Sequence, residues 1–498
     1  MSLLSITYGI FLLSILGIYW TREERSLRLG ILLIASIVFY LSQQLQYLPL
    51  LLAITLATFY MGLAIGAPLD WRIPDEKWQA AQEAWNQRRS RLLWVGIILN
   101  ILLLLGFKYL PFLLSSVGVI AQAPALQTSA DWIDEQVIAP LGLSYFMFEC
   151  MAYLIDVYRG APATPNLLQF SSFKLFFPKI LSGPIVRFHQ VEQQFQTLIA
   201  PRMDQVLDGL WLIAWGAMKK LLLADHIATF VNLSFDNIER AGSGDLWLAT
   251  FAYGLQLYLD FSGYVDVARG SATLLGFELP RNFDAPYFAS SIADFWRRWH
   301  MTLGDWLRNY LYFPLGGSRK SLARTCLNLV IVMAIAGIWH DAGWGFIIWG
   351  LIHGVALALH RLTDAQSNAM PKLQDFWRSP LGVVLSWLIT QFTVFGAWLF
   401  FRLPNPQDFG LALQRLFGHV ADIQFGQKIY LETLGLDRFH LALWLLGLFG
   451  LMGATYGIQR SLKLQLNWHF KVCLVPVFLF LAWLLAPENS LPYIYFDF

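Results

Sequence analysis

Charge is scarce in this chain. Asp, Glu, Lys and Arg make up 14% of its 498 residues, where a soluble globular domain carries about 25%. That shortage excludes an ordinary soluble enzyme. With 57% hydrophobic residues it also excludes intrinsic disorder, which needs low hydrophobicity and high charge. An excess of one sign is missing too: 35 Lys+Arg against 33 Asp+Glu leave a formal net charge of +2, which argues against nucleic-acid binding. Cysteine is rarer still. Cys150, Cys326 and Cys473 are scattered and odd in number, so they build no disulfide framework, zinc spacing or CxxC pair, and they read as core thiols. The chain has no GxSxG nucleophile elbow, no P-loop and no HExxH, so neither a metal site nor a bound cofactor is expected.

What the chain does have is long apolar blocks, which make lipid the solvent for much of its surface. The 21 Trp, 19 Tyr and 38 Phe suit aromatic belts at membrane interfaces. The first block, Ser2 to Trp20, has no basic residues ahead of it, while Arg22, Arg25 and Arg28 follow it. It reads as a retained span with its N-terminus outside, not as a cleaved leader. Further blocks lie near 29–45, 46–66, 93–113, 137–158, 205–231, 245–262, 326–340, 343–360, 381–401, 441–458 and 470–486. The expected fold is therefore all-α: one polytopic integral membrane domain over residues 1–498, with about 12 spans.

Loop charge orients it. The 67–92 loop holds Arg72, Lys77, Arg88, Arg89 and Arg91 and should be cytoplasmic, whereas 114–136 has no Lys or Arg and should be external. The 281–324 stretch holds seven Lys or Arg residues and should be cytoplasmic, which leaves both termini outside. This alternation requires that 166–187 does not cross. That piece carries Lys174, Lys179 and Arg187 among aromatics, broken by Pro178 and Gly183-Pro184. It reads as a re-entrant or interfacial segment, tolerated only when buried in protein or lining a cavity.

Two stretches could carry chemistry. In 281–324, Ser291 and Asp294 form a capping-box pattern that starts a helix near Ile292, and Pro314 with Gly316-Gly317 ends it. On such a helix Arg297, Met301, Asp305 and Arg308 share a mostly polar face. Trp296, His300, Leu303, Gly304, Leu307 and Leu311 share an apolar one, so His300 lies on the buried side. An interfacial helix anchored by Trp and Arg is the plain structural alternative. The second stretch, Cys326 to His360, has Asp341 as its only formal charge before His360. Its 35 residues would make a helix of about 52 Å, too long for one span and too short for two. GIWHDAGWG supplies a break at Asp341 to Gly343, so two short or tilted helices should meet at His340-Asp341, beside a locally thin barrier. An ionisable pair there is costly unless it faces an aqueous cavity, and an imidazole can take a proton from a hydroxyl. His353, in WGLIHG, is expected to be packing inside a helix. Glu149, Asp156, Asp260 and Asp266 should be structural partners for Arg159, Arg187, Arg269 or backbone groups.

At these residues the chain resembles the membrane-bound O-acyltransferase (MBOAT) family, most closely its bacterial alginate O-acetyltransferase branch and more distantly the D-alanyl-teichoic-acid transfer proteins. The resemblance is carried by PLGLSYFMFECMAYLIDVYRG (140–160), FPKILSGPIVRF (177–188), YLDFSGYVDVARG (258–270), all of 282–317, GIWHDAGWGFIIWGLIHG (337–354) and LFFRLP (399–404). It covers roughly residues 93–404. The resemblance implies an enzyme that moves an acyl group, in this branch acetyl, from a thioester to a hydroxyl. The family's catalytic histidine position falls on His340. A second position, His or Asn across the family, falls on His300, which implies a supporting role. Asp341 departs from the Gly usual in this branch.

The resemblance further implies a CoA or carrier-protein thioester that enters near the basic 281–324 surface, with Arg297, Arg298, Trp296, Trp299 and Asp341 around the donor. It implies a bacterial inner membrane, polysaccharide export machinery and an SGNH-hydrolase-like partner. A lipid, a teichoic-type polymer or a protein remains open as acceptor. So does a transporter with Glu149, Asp156, His340 and His353 as its polar path, although no internal repeat supports one, and so does a membrane scaffold.

Overall fold

The computed structural model describes residues 1–70, 72–462, 466–487 and 491–494. Among the described residues there is no strand. The helices are α1 (Ile6–Trp20), α2 (Arg25–Leu41), α3 (Leu48–Gly66), α4 (Asp75–Leu104), α5 (Leu110–Ile120), α6 (Pro124–Gln136), α7 (Leu143–Tyr158), α8 (Leu167–Lys174), α9 (Phe188–Thr197), α10 (Met203–Ala217), α11 (Asp225–Phe235), α12 (Ser243–Leu274), α13 (Ile292–Arg298), α14 (Met301–Leu307), α15 (Leu322–His340), α16 (Trp344–Ala369), α17 (Pro371–Arg378), α18 (Pro380–Arg402), α19 (Pro406–Arg415), α20 (Ile423–Phe425), α21 (Arg438–Leu462) and α22 (Trp468–Leu484). Every apolar block carries a helix. Among the described residues six stretches are long and apolar enough to cross a membrane: Leu45–Gly66, Asp75–Ile120, Leu322–His340, Trp344–Ala369, Pro380–Arg402 and Arg438–Leu462. The apolar helices α1 and α22 are shorter.

Two expected loops are largely helical. The 67–92 loop gives way to α4 at Asp75, where Asp75 and Glu76 sit in the first turn and favour the positive end of the helix dipole. The 114–136 loop holds the end of α5 and all of α6. Cys150 alone is a buried thiol: Cys326 is partly exposed and Cys473 exposed, so the core reading fails for the last two.

The chain divides into two compact units, Met1–Ile213 with Val267–Pro280, and Ala214–Asp266 with Arg281–Phe498. In the first unit, 166–187 has the form its breakers demand. Asn166 caps α8 by accepting the Gln169 N–H at 2.9 Å, and the chain after Lys174 runs non-helical and almost wholly buried. Its two lysines converge on α7. Lys179 Nζ lies 2.7 Å from both Glu149 oxygens, and Lys174 Nζ donates to Glu149 at 3.2 Å and to the Phe146 carbonyl at 3.0 Å. Glu149 also accepts the Val186 N–H at 3.2 Å. Buried charges are tolerable because they are paired and hydrogen-bonded. The partners of Glu149 are thus lysines and a backbone group, not the arginines expected.

The second unit repeats the lesson. A π-helical stretch, Met218–Ala224, presents adjacent lysines. Lys219 pairs with Asp266 at 2.5 Å, and Lys220 with Asp225 at 2.7 Å and Asp260 at 2.6 Å. In the first unit Arg269 donates to the Leu279 carbonyl at 3.2 Å.

In the same unit α15 ends at His340 and α16 starts at Trp344, which is the break read from Asp341 to Gly343. The helices are not short. They extend past the apolar run at both ends, through Arg324 and through Arg361 and Asp364, to 19 and 26 residues. Both reach spanning length, so the expectation of short helices fails. They pack backbone against backbone. A methyl group on Gly337 would overlap the Phe346 carbonyl, and one on Gly350 would overlap that of Met333.

Candidate active site

The second unit places its histidines from two directions. The first is the short pair α13 and α14. Ser291 starts α13 as its pattern requires, its hydroxyl accepting the Asp294 N–H at 3.1 Å. The helix then stops seven residues on, where a single helix was expected to continue. Trp299 is extended and His300 is left-handed, with φ 42° and ψ 54°. For a residue with a Cβ such a conformation costs about 1–3 kcal/mol, and the surroundings must hold it.

Asn282 does the holding. Its backbone carbonyl accepts the Met301 N–H at 3.0 Å, and its side-chain Oδ1 accepts the Thr302 N–H at 3.0 Å and the Thr302 hydroxyl at 2.7 Å. The Asp284 N–H donates to the Arg298 carbonyl at 3.0 Å. The run 282–284 is therefore laced across the break on both sides of His300. Asn282 acts as a remote cap for α14, satisfying an N–H that the first turn of a helix leaves open. Because of the break, the two faces drawn for one helix do not exist as continuous stripes. His300 is nonetheless fully buried, as its apolar neighbours implied. Burial pushes its imidazole pKa down to about 3, so the ring is neutral at physiological pH.

The second direction is the end of α15. His340 is its last residue and is buried. The preceding Trp339 bridges the two histidines: its ring centroid lies 6.1 Å from that of His300 and 5.0 Å from that of His340. His340 also meets Trp349 at 5.1 Å and Phe401 at 5.0 Å, while His300 meets Phe261 at 4.9 Å. Trp349 stacks on Trp398 at 5.7 Å, and Trp398 meets Trp299 at 5.0 Å. His300 and His340 thus border one buried aromatic layer built from the break after α13 and from α15, α16 and α18. With water excluded, a polar group in such a layer interacts more strongly with any charge that develops beside it.

The remaining expected residues separate. Trp296 donates its indole N–H to His353 Nδ1 at 3.3 Å, and Trp299 is buried in the layer. Asp341 has extended backbone at the turn between α15 and α16. Arg298 is tied down, its side chain 14% exposed, 2.8 Å from Asp294 and 2.7 Å from the Tyr456 hydroxyl. Arg297 has a side chain 72% exposed and lies 3.9 Å from Asp294. The two arginines therefore stand in different surroundings. Asn282, Trp339, Trp349, Trp398 and Phe401 were not read from the sequence. No local pattern marks them, since aromatic residues are everywhere in this chain.

Comparison with known proteins gives the family. Residues 100–400 match the MBOAT, membrane-bound O-acyltransferase family, and this range contains every side chain of the layer but Phe401, the residue just beyond it. The chain is 37% identical over 399 residues to "Probable alginate O-acetylase AlgI" of Pseudomonas aeruginosa, covering 80% of this chain and 71% of that protein. It is 34% identical over 421 residues to "Peptidoglycan O-acetyltransferase" of Helicobacter pylori, covering 78% and 73%. It is 27% identical over 279 residues to "Teichoic acid D-alanyltransferase" of Bacillus subtilis, covering 54% and 70%. The chain belongs to the membrane-bound O-acyltransferase family and is an O-acyltransferase.

Proposed function

We propose that this protein transfers an acetyl group from a thioester to a hydroxyl of an exported cell-envelope polysaccharide, with His340 as general base. The observation that carries the reading is the placement of His340: a buried imidazole at the break between two spanning helices, joined to His300 through Trp339. His340 takes the proton of the acceptor hydroxyl as its oxygen bonds to the thioester carbonyl carbon. The carbon–sulfur bond then breaks, and the proton passes on to the departing thiolate. His300, neutral and held rigid by Asn282, orients the reacting groups. Arg297, exposed at the end of α13, meets the phosphates of a CoA-type or carrier-protein donor. The polysaccharide acceptor rests on the names of the relatives, and a bacterial inner membrane with an SGNH-hydrolase-like export partner is the setting that fits it.

The test is acetyl transfer by purified, nanodisc-inserted protein from labelled acetyl-CoA or acetyl carrier protein to envelope polysaccharide. Removal of a general base costs about 10²–10⁴ in rate, so His340→Ala should fall to near background while staying inserted. His300→Ala should lose roughly ten- to a hundredfold, about 1–3 kcal/mol of transition-state stabilisation. Near-wild-type turnover by His340→Ala would remove the assignment. Transfer to a lipid or protein alone would replace the acceptor.

A further inference from the structure

His353 was expected to be packing inside a helix, and it is fully buried in α16. Its hydrogen bonding says more. Trp296 donates its indole N–H to Nδ1 of His353 at 3.3 Å. An indole nitrogen can only donate, so this Nδ1 is the unprotonated, accepting nitrogen. The ring's proton is therefore on Nε2. That buried Nε2 has no hydrogen-bond partner among the described residues.

Two more donors share its situation. The indole Nε1 groups of Trp349 and Trp398 are buried and have no hydrogen-bond partner among the described residues. The three rings form one cluster. Their centroids lie 5.0 Å apart for Trp349 and His353, 5.7 Å for Trp349 and Trp398, and 6.2 Å for His353 and Trp398. Trp349 also meets His340 at 5.1 Å. A fold rarely leaves a buried N–H unmade, because stranding one is costly. Three such buried donors in one cluster make a site that calls for an acceptor oxygen.

Resting on the acyl-transfer reading above, we propose that the N–H groups of His353, Trp349 and Trp398 receive the carbonyl oxygen of the acyl thioester beside His340. Attack by the acceptor oxygen moves the carbonyl electron pair onto that oxygen. Collapse returns the pair and expels the sulfur. Donors already fixed in a dry site stabilise the charge without reorganising when it forms. Trp296 is the positioning residue: its bond to Nδ1 selects the tautomer that carries the proton on Nε2.

Amide substitutions at His353 separate this role from packing. Glutamine places an amide N–H near the Nε2 position and keeps that donor. Asparagine places its amide oxygen near Nδ1, so it keeps the bond to Trp296 and loses the donor. Acetyl transfer by the wild-type protein, and its loss in His340→Ala, test the function itself; the order of the His353 variants tests the donor site. The expected result is a drop in kcat of about 10²–10³ for His353→Asn with KM within a few-fold, as for loss of an oxyanion donor, and a clearly smaller drop for His353→Gln. Trp349→Phe and Trp398→Phe keep the ring and remove only the N–H. They should lower kcat severalfold while the thermal midpoint in detergent stays level or rises, since each removes an unmade buried donor. They also carry the test if the His353 variants fail to insert. Equal losses in His353→Gln and His353→Asn, the reverse order, or wild-type kcat in both Trp variants would overturn the proposal.

Discussion

Asn282→Ala is the sharpest test of how His300 is held. Its Oδ1 accepts from both the N–H and the hydroxyl of Thr302, and Asn282 and Thr302 are both buried. The hydroxyl can rotate toward another acceptor, but the N–H in the first turn of α14 cannot. Losing a helix cap costs about 0.5–2 kcal/mol, and stranding a buried donor costs about 1–3 kcal/mol. These are two views of one lost bond, so about 2 kcal/mol is the expected local penalty. The left-handed conformation of His300 stores a comparable 1–3 kcal/mol. Without its tie, His300 gains by relaxing toward ordinary backbone, and its ring leaves Phe261 and Trp339. Activity should fall roughly ten- to a hundredfold, at 1.36 kcal/mol per tenfold. The thermal inactivation midpoint in detergent should fall by a few degrees. Thr302→Val removes only the hydroxyl and should do less. In the double variant the two effects should fail to add, because both act on one contact. Wild-type turnover and wild-type stability in Asn282→Ala would show that His300 does not depend on this lacing.

Three further outcomes follow from the same geometry. Arg297→Gln should raise the apparent KM for a CoA thioester, by an amount that shrinks as salt is raised, whereas Arg298→Gln should cost stability through the lost Asp294 and Tyr456 contacts; an unchanged KM in Arg297→Gln would return Arg297 to interfacial anchoring. A cysteine at Ser318, an exposed position before α15, should resist an impermeant thiol reagent applied to intact cells, and ready external labelling would reverse the assigned orientation. Burial lowers the His300 pKa from 6.5 to about 3, so between these values the unfolded chain binds a proton that the folded one does not, and stability should fall as the pH drops through that window; His300→Gln should flatten the slope in thermal midpoints measured from pH 7 to pH 4, and an unaltered slope would refute the assigned burial effect.

Much of this was legible in the chain itself. Scarce charge and long apolar blocks determine an all-helical membrane protein, because lipid offers backbone groups no other partner. Local chemistry determines the Ser291 cap and the break after His340, since capping and chain reversal depend on residues a few positions apart. The apolar neighbours of His300 already imply its burial. Only the tertiary structure decided the rest, and always for one reason: the deciding partner is far away in sequence. The break before His300 has no Gly or Pro to announce it; it is imposed by Asn282, 20 residues from the Thr302 it binds. Glu149 chooses Lys179, 30 residues on, over the arginines nearer the helix ends. The tautomer of His353 is set by Trp296, 57 residues away. Helical periodicity says which face of a helix is apolar, but not which distant side chain will be packed against it. Arg297 and Arg298, adjacent in sequence and alike in chemistry, part because Arg298 reaches the Tyr456 hydroxyl and holds Asp294 at 2.8 Å, whereas Arg297 stays 3.9 Å from Asp294 and exposed.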